Sequence, residues 1–348
     1  MTRADVAVST GPKLPRKRTR ASRAAAPESS WAYVAPLSRM TVNTPLYIVD
    51  ARPLSWQATQ ILDAAVRVAG APAVVRTTFP PAPGTVTPTP VILACGTQTL
   101  RALVPDAPSA QEARGYIWDT AWGRVVASMS PEDIVTDWTP WRALFDLDLR
   151  RALAEIATGC LPFHVPDVTV VTNATLGEAC WRAMRAAEWC AADIENTHDL
   201  ELACMGFAAS VDHAYVIPAG EAWQRDLIKF ICEDDKVRKV FQNGQYDRLF
   251  LARQCGIETR GHVFDTQLAW HALNPELAGK KTEVGYKKAK SRRTAKSLRF
   301  LASVYCRSPF WKSYDFVDEH ERYVLCGRDC AYTLDIANKQ AKQLEANG

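Results

Sequence analysis

The chain has 348 residues, of which 47% are hydrophobic and 23% charged. That length exceeds one ordinary core and the composition is that of a soluble globular protein, so two domains plus a tail are expected. No apolar run approaches the roughly 18 residues of a membrane span, and the basic N-terminus lacks the apolar stretch of a secretory signal. Ten cysteines without a C-x-x-C pair argue against a structural zinc or a disulfide framework, and for a reducing compartment such as the cytoplasm.

Residues 1–30 are rich in Pro, Ser, Ala and Arg and offer nothing to a core, so a disordered basic tail is expected. Leu46-Tyr47-Ile48-Val49 reads as a buried strand. Leu54, Ala58, Ile61, Ala65 and Val68 follow at helical spacing, closed by Gly70. After a Pro/Thr-rich connector comes a second apolar strand, Val91-Ile92-Leu93-Ala94, turning through Cys95-Gly96-Thr97 into a short helix with Leu100 and Leu103. Trp141, Leu144, Phe145, Ala152, Leu153 and Ile156 mark a longer helix ending at Gly159. Strands alternating with helices define an α/β domain over residues 45–162.

The Pro162 to Pro166 stretch is the expected boundary, and 166–348 the second domain. Strands at Trp189–Glu195, Leu202–Ala209 and Ala214–Ile217 are joined by short turns and read as antiparallel. A helix near Trp223–Cys232, a strand at Lys239–Gln242, a helix at Gln245–Cys255 and a long helix from about Tyr323 to Leu344 complete a mixed α/β layout.

The net charge of +4 conceals two basic segments. Residues 1–30 hold seven basic side chains against Asp5 and Glu28, and residues 279–299 hold nine against Glu283. The remainder carries 26 basic and 35 acidic residues, an acidic body with its positive charge in two short stretches. Such stretches are handles for a phosphate backbone, because each neutralised phosphate releases counterions whatever the base sequence. A solvated tail and loop is the plainer alternative.

Asp193-Ile194-Glu195 ends an apolar strand, and period-two geometry puts both carboxylates on one face, close enough to share a divalent ion. One D-x-E arises readily by chance among 38 acids. Two further acids alter that weighing. Asp247 opens a helix in Phe241-Gln242-Asn243-Gly244-Gln245-Tyr246-Asp247, and Asp329 lies inside the C-terminal helix, where an Asp carries a propensity cost.

The order D-x-E, N-x-x-x-D about fifty residues on, then an Asp in a last helix resembles the DEDD 3′–5′ exonucleases, most nearly the proofreading domains of family A phage DNA polymerases. Phe264–His271, Ser297–Tyr305 and Trp311-Lys312 extend the likeness, which covers about residues 166–348. It implies a ribonuclease H-like mixed-sheet exonuclease fold and hydrolysis of DNA from a single-stranded 3′ end. Two Mg²⁺ or Mn²⁺ ions roughly 3.5–4 Å apart would activate water and stabilise the leaving 3′-oxygen, and hard ions suit carboxylates without paired His or Cys. On the family pattern Asp193, Glu195 and Asp329 ligate the first ion, Asp193 bridges to the second, Asp247 holds its waters, and Asn243 sits beside the terminal nucleotide. For Asn243 a helix cap is an equal alternative. The basic loop falls between the second and third motifs, where a strand must enter. Lys287, Lys288, Lys290, Arg292 and Arg293, with Tyr286 interleaved for base stacking, are therefore the expected DNA contacts.

One departure stands out. The family places a Tyr four residues before the last Asp, or a His five before it, to orient the attacking water. Leu325 and Val324 stand there instead, with Tyr323 and His320 farther back. The resemblance further implies a phage protein in the bacterial cytoplasm that proofreads or trims ends beside a separate DNA polymerase, since no polymerase domain follows. An RNase D-like exoribonuclease and a catalytically silent DNA-binding module are the alternatives.

In the first domain, Ile92–Leu100, Arg114-Gly115-Tyr116, Trp122–Ser128 and Asp146–Ala152 resemble part of the uracil-DNA glycosylase fold. Where that fold carries a catalytic His-Pro-Ser, this chain has Ser130-Pro131-Glu132. The Gly-rich water-activating motif is not recognisable, and Asp50 reads as an isolated acid. The expectation is a smaller α/β uracil-DNA glycosylase-like domain without glycosylase activity; an unrelated α/β domain is the alternative.

Overall fold

The computed structural model describes residues 45–71, 74–85, 90–136, 138–278, 296–311 and 318–347. The basic tail, Lys312 and the expected DNA contacts Tyr286, Lys287, Lys288, Lys290, Arg292 and Arg293 lie outside the described residues.

The first sheet contains β1 (Leu46–Asp50), β2 (Val74–Thr77), β3 (Val91–Cys95), β4 (Ile117–Thr120) and β5 (Gly123–Ser128), in the order β2-β1-β3-β5-β4, with β4 antiparallel to β5 and the other pairs parallel. Around it lie α1 (Trp56–Ala69), α2 (Thr97–Leu103), α3 (Ala110–Ala113), α4 (Pro131–Thr136) and α5 (Trp138–Thr158). Strand residues alternate between two buried faces, which is why these strands read as continuous apolar runs. Leu46, Ile48, Val91 and Leu93 pack with Ile61, Leu62, Phe145 and Leu149. Val49, Ile92 and Ala94 pack with Leu100 and Leu103 on the other side.

The second sheet contains β6 (Asp167–Val170), β7 (Cys190–Asn196), β8 (Leu202–Ala208), β9 (His213–Pro218), β10 (Lys239–Phe241) and β11 (His262–Asp265), in the order β11-β10-β7-β8-β9-β6. The β7-β8-β9 meander is antiparallel, and the outer pairs are parallel. Its helices are α6 (Ala174–Ala186), α7 (Ala222–Glu233), α8 (Gln245–Gln254), α9 (Thr266–Leu273), α10 (Pro275–Ala278), α11 (Leu298–Tyr305) and α12 (Glu319–Asn347). Ala192, Ile194, Met205 and Phe207 pack with Cys180, Met184, Ile228, Ile231 and Leu251 of α6, α7 and α8. Ala191 and Ala208 pack on the opposite face with Cys330, Ala331 and Leu334 of α12. The odd-numbered residues of β7 therefore face α12, and Asp193 and Glu195 are among them.

Several elements escape the periodicity argument. β2 is a short edge strand whose central residues are exposed, and β6 and β11 are likewise short outer strands with little alternation. The β4–β5 hairpin is tight, and its second strand is buried throughout. Val68, expected on the apolar face of α1, is 67% exposed; Leu62 and Ala69 take the buried positions. Arg299, counted in the basic segment, is buried, with its guanidinium 5.6 Å from the Phe310 ring centroid and 3.7 Å from Glu112.

The two sheets belong to one compact unit, and buried charge lines the contact between them. Glu155 on α5 accepts from both terminal nitrogens of Arg307 at 2.6 Å each and from Arg124 at 2.9 Å. Arg114 grips Asp148 and donates to Ser303 on α11 at 3.3 Å, while Ser128 donates to Asp148 at 2.9 Å. Arg151 donates to the carbonyls of Ser303 and Cys306. Gly115 has φ +76°, and a Cβ there would meet the Ser303 carbonyl oxygen at 2.8 Å. Only glycine accommodates both the backbone angle and the close approach.

Candidate active site

Asp193 lies opposite Gly206 in the β7–β8 ladder. A Cβ at Gly206 would stand 2.7 Å from the Cys330 sulfur and 2.9 Å from that of Cys326, both on α12. A Cβ at Gly327 would stand 2.7 Å from Val168. The two glycines let α12 lie against the sheet, and this close approach delivers Asp329 to the face that carries Asp193 and Glu195. Ligand oxygens of Asp193, Glu195 and Asp329 lie within 4.8 Å of one another.

Asp247 joins them from α8. It is 3% exposed, and the Ile194 backbone N–H donates to its carboxylate. Burial pushes the Asp247 carboxyl up to about 7. Asp193 is pushed well above the ordinary range, first by desolvation and then by Asp247, with Cys326, Asp329 and Glu195 adding to the effect. Crowded carboxylates that resist ionising together are relieved by a cation. The donor set is all oxygen, which fits Mg²⁺ or Mn²⁺.

A stability consequence follows. Folded Asp193 and Asp247 hold protons that the unfolded chain, with ordinary carboxyls at 3.8, has released. The metal-free protein is therefore expected to lose stability as pH rises from about 4 to about 7. Thermal melts in chelator across that range test this. The melting temperature should fall with pH in the wild type and fall less in Asp247→Asn; equal slopes would contradict the assignment.

Around the acids, Asn243 is exposed with φ +62°, in the left-handed region. Asp265 holds it there by accepting from the Asn243 and Gly244 N–H groups at 3.2 and 2.8 Å, while also capping α9 through Gln267 and Leu268. The residue at the start of α8 is Gly244, with no side-chain cap bond, so Asn243 is not the helix cap. Tyr246 is 52% exposed, and its hydroxyl accepts from Asn196, the neighbour of Glu195, at 2.7 Å. Tyr323 is half-buried against the Cys204, Val216 and Cys326 cluster and turns its hydroxyl toward Glu319 at 3.5 Å. His320 is exposed, and Leu325 is buried.

Sequence reasoning passed over Tyr246 and Asp265 although both lie inside segments it singled out; an aromatic directly before Asp247 was the available signal. Trp311, part of the family likeness, carries no chemical signal of its own in the sequence. The Trp311 indole N–H donates to Asp329 at 2.9 Å.

On the first sheet, Asp50 is not isolated. Asp50 ends β1 and Ser130 follows β5, with β3 between them; the Ser130 hydroxyl and the Arg52 backbone N–H both donate to the Asp50 carboxylate, the latter at 3.0 Å. Burial nonetheless raises its pKa.

The family model described as 3′–5′ exonuclease matches residues 168–345, just over half of the chain, and the chain belongs to that family. Similar solved structures include the polymerase domain of Pol1 from M. smegmatis in complex with DNA primer-template and dNTP, at 16% identity and TM-score 0.37, covering 51% of this chain and 28% of that one. Escherichia coli RNase D, an exoribonuclease involved in structured RNA processing, matches at 18% identity and TM-score 0.35, covering 52% and 46%. The Aedes aegypti Nibbler EXO domain matches at 15% identity and TM-score 0.36, covering 54% and 94%. The chain thus spans under half the length of the first two. Among the described residues, no helix is long and apolar enough to cross a membrane.

Proposed function

We propose that the protein is a metal-dependent 3′–5′ exodeoxyribonuclease, with Asp193, Glu195, Asp247 and Asp329 holding two Mg²⁺ or Mn²⁺ ions. The observation that carries this reading is the convergence of Asp193, Glu195 and Asp329 within 4.8 Å, with Asp247 crowding Asp193. Divalent cations bound there supply activation of a water and neutralisation of the leaving 3′-oxygen. The chain's own residues set the rest. Asp193 lies beside Asp247 as well as Glu195 and Asp329, so it would be the carboxylate within reach of both groups of donors. Asn243, whose backbone is fixed by Asp265, and the exposed Tyr246 ring, which is tied to Asn196 beside Glu195, would meet the terminal nucleotide, Tyr246 offering a stacking surface. Leu325 and Val324 cannot hydrogen-bond to water, and Tyr323 is engaged with Glu319. Loss of an orienting group costs about 10²–10⁴-fold, so turnover is expected to be slow.

Lys287, Lys288, Lys290, Arg292, Arg293 and Tyr286 would grip the incoming strand. The proposed setting is proofreading or end trimming in phage DNA replication in the host cytoplasm, beside a separate polymerase. Residues 45–162 would form a uracil-DNA glycosylase-like domain without that activity, since Ser130 engages Asp50 where a catalytic His-Pro-Ser would stand.

The test is a 5′-labelled single-stranded DNA and a matched RNA incubated with Mg²⁺ or Mn²⁺. A ladder shortening from the DNA 3′ end, absent in chelator, is the expected result. Faster loss of RNA would move the substrate to RNA, and DNA bound but left intact would overturn hydrolysis.

A further inference from the structure

Asp329 is 1% exposed, so its orientation depends on what surrounds it. One neighbour comes from the segment that follows α11: Trp311, 8% exposed, donates its indole N–H to Asp329 Oδ1 at 2.9 Å. The indole nitrogen is a donor only, so it can fix a carboxylate without competing for a cation. The ring itself is held on two sides. Tyr332, one turn beyond Asp329 on α12, packs against it with centroids 4.5 Å apart, and the Tyr332 hydroxyl is anchored on the His164 carbonyl at 3.0 Å. Tyr116 of the first domain, fully buried, meets the Trp311 ring edge-on at 6.0 Å and the Phe310 ring at 5.2 Å. Its hydroxyl donates to the Arg299 carbonyl at 2.6 Å. Trp118, two residues along the same hairpin, stacks on Phe310 at 6.0 Å.

We propose that Trp311 is a positioning residue for the metal centre, orienting the Asp329 carboxylate toward Asp193 and Glu195, and that the first domain supports it through Tyr116. This gives residues 45–162 a role in the exonuclease site that needs no chemistry of their own. The inference rests on the reading that the acids bind divalent cations.

The experiment is calorimetric titration of the metal-free full chain with Mn²⁺, alongside its thermal melt in chelator. Trp311→Phe keeps the ring packing and removes the N–H. It is expected to weaken Mn²⁺ binding about 10- to 100-fold, the usual effect of losing a partner to a ligating group, with the metal-free melting temperature within about 2 °C of wild type. Tyr116→Leu should weaken binding less, and adding it to Trp311→Phe should cost less than the product of the two, as for residues acting through one contact. Should Tyr116→Leu fail to fold, Trp311→Phe still decides the matter. An Asp193→Asn/Glu195→Gln variant separates the two levels. If it binds Mn²⁺ like wild type, the metal-site reading fails and this inference with it. If it loses binding while Trp311→Phe keeps wild-type affinity, the positioning role alone is overturned.

Discussion

Replacing Asp193 and Glu195 together by alanine is expected to lower 3′-end hydrolysis by about 10³-fold or more while leaving the fold intact. Both carboxylates face α12 from one side of β7, and the double change removes two of the three clustered oxygen donors. Lewis-acid stabilisation of a phosphoryl transition state is worth several kcal/mol, and about 1.4 kcal/mol is a decade in rate. Stability should move the other way. Asp193 sits among like charges that push its pKa well up, so removing the carboxylates relieves repulsion. The metal-free melting temperature of the variant is expected to equal or exceed that of wild type near pH 7. Full retention of hydrolysis would show that the chemistry lies elsewhere; loss of activity with a collapsed melt would show that the acids serve folding.

Glu155→Ala is expected to be among the most destabilising substitutions at the contact between the two sheets. Glu155 is 1% exposed and pairs with Arg307, 9% exposed, and with Arg124, 6% exposed; Arg124 also keeps Asp119 at 2.6 Å, so the charge left unpaired is that of Arg307. Removing one partner of a buried ion pair leaves uncompensated charge and costs about 3–5 kcal/mol. At about 2.1 cal/mol/K of unfolding entropy per residue, that corresponds to a fall of roughly 4–7 °C in melting temperature. Because Arg307 follows α11 and leads toward Trp311, the same variant should also bind Mn²⁺ more weakly. Differential scanning calorimetry measures the first effect, and a shift under about 2 °C would contradict the assignment of a buried, unrelieved charge.

Much of the site was legible because its signals are local. Alternation along an apolar strand places Asp193 and Glu195 on one face, Asp329 stands mid-helix where an Asp carries a propensity cost, and Asp247 stands out only through the N-x-x-x-D order, since a first-turn Asp is ordinary. The packing that unites them was not legible. It depends on Gly206 lying opposite Asp193 and on two glycines admitting α12 to the sheet, a matter of register between strands and helix that spacing along one segment does not encode. The Trp311 bond to Asp329 spans 18 residues and passes for core packing in sequence. In the same way Glu155 and Arg307, 152 residues apart, look like ordinary surface charges until the sheets dock. Asn243 illustrates the converse: its type suits either a cap or a ligand contact, and only its backbone angle and the Asp265 clamp set the cap aside.

The central claim is that four acids from β7, α8 and α12 converge to hold divalent cations. Its most direct test is anomalous diffraction from crystals of the full chain soaked in Mn²⁺. Two peaks are expected, one touching Asp193, Glu195 and Asp329 and the other on the Asp247 side of Asp193. Crystals that bind Mn²⁺ elsewhere, with no peak among these carboxylates, would contradict it.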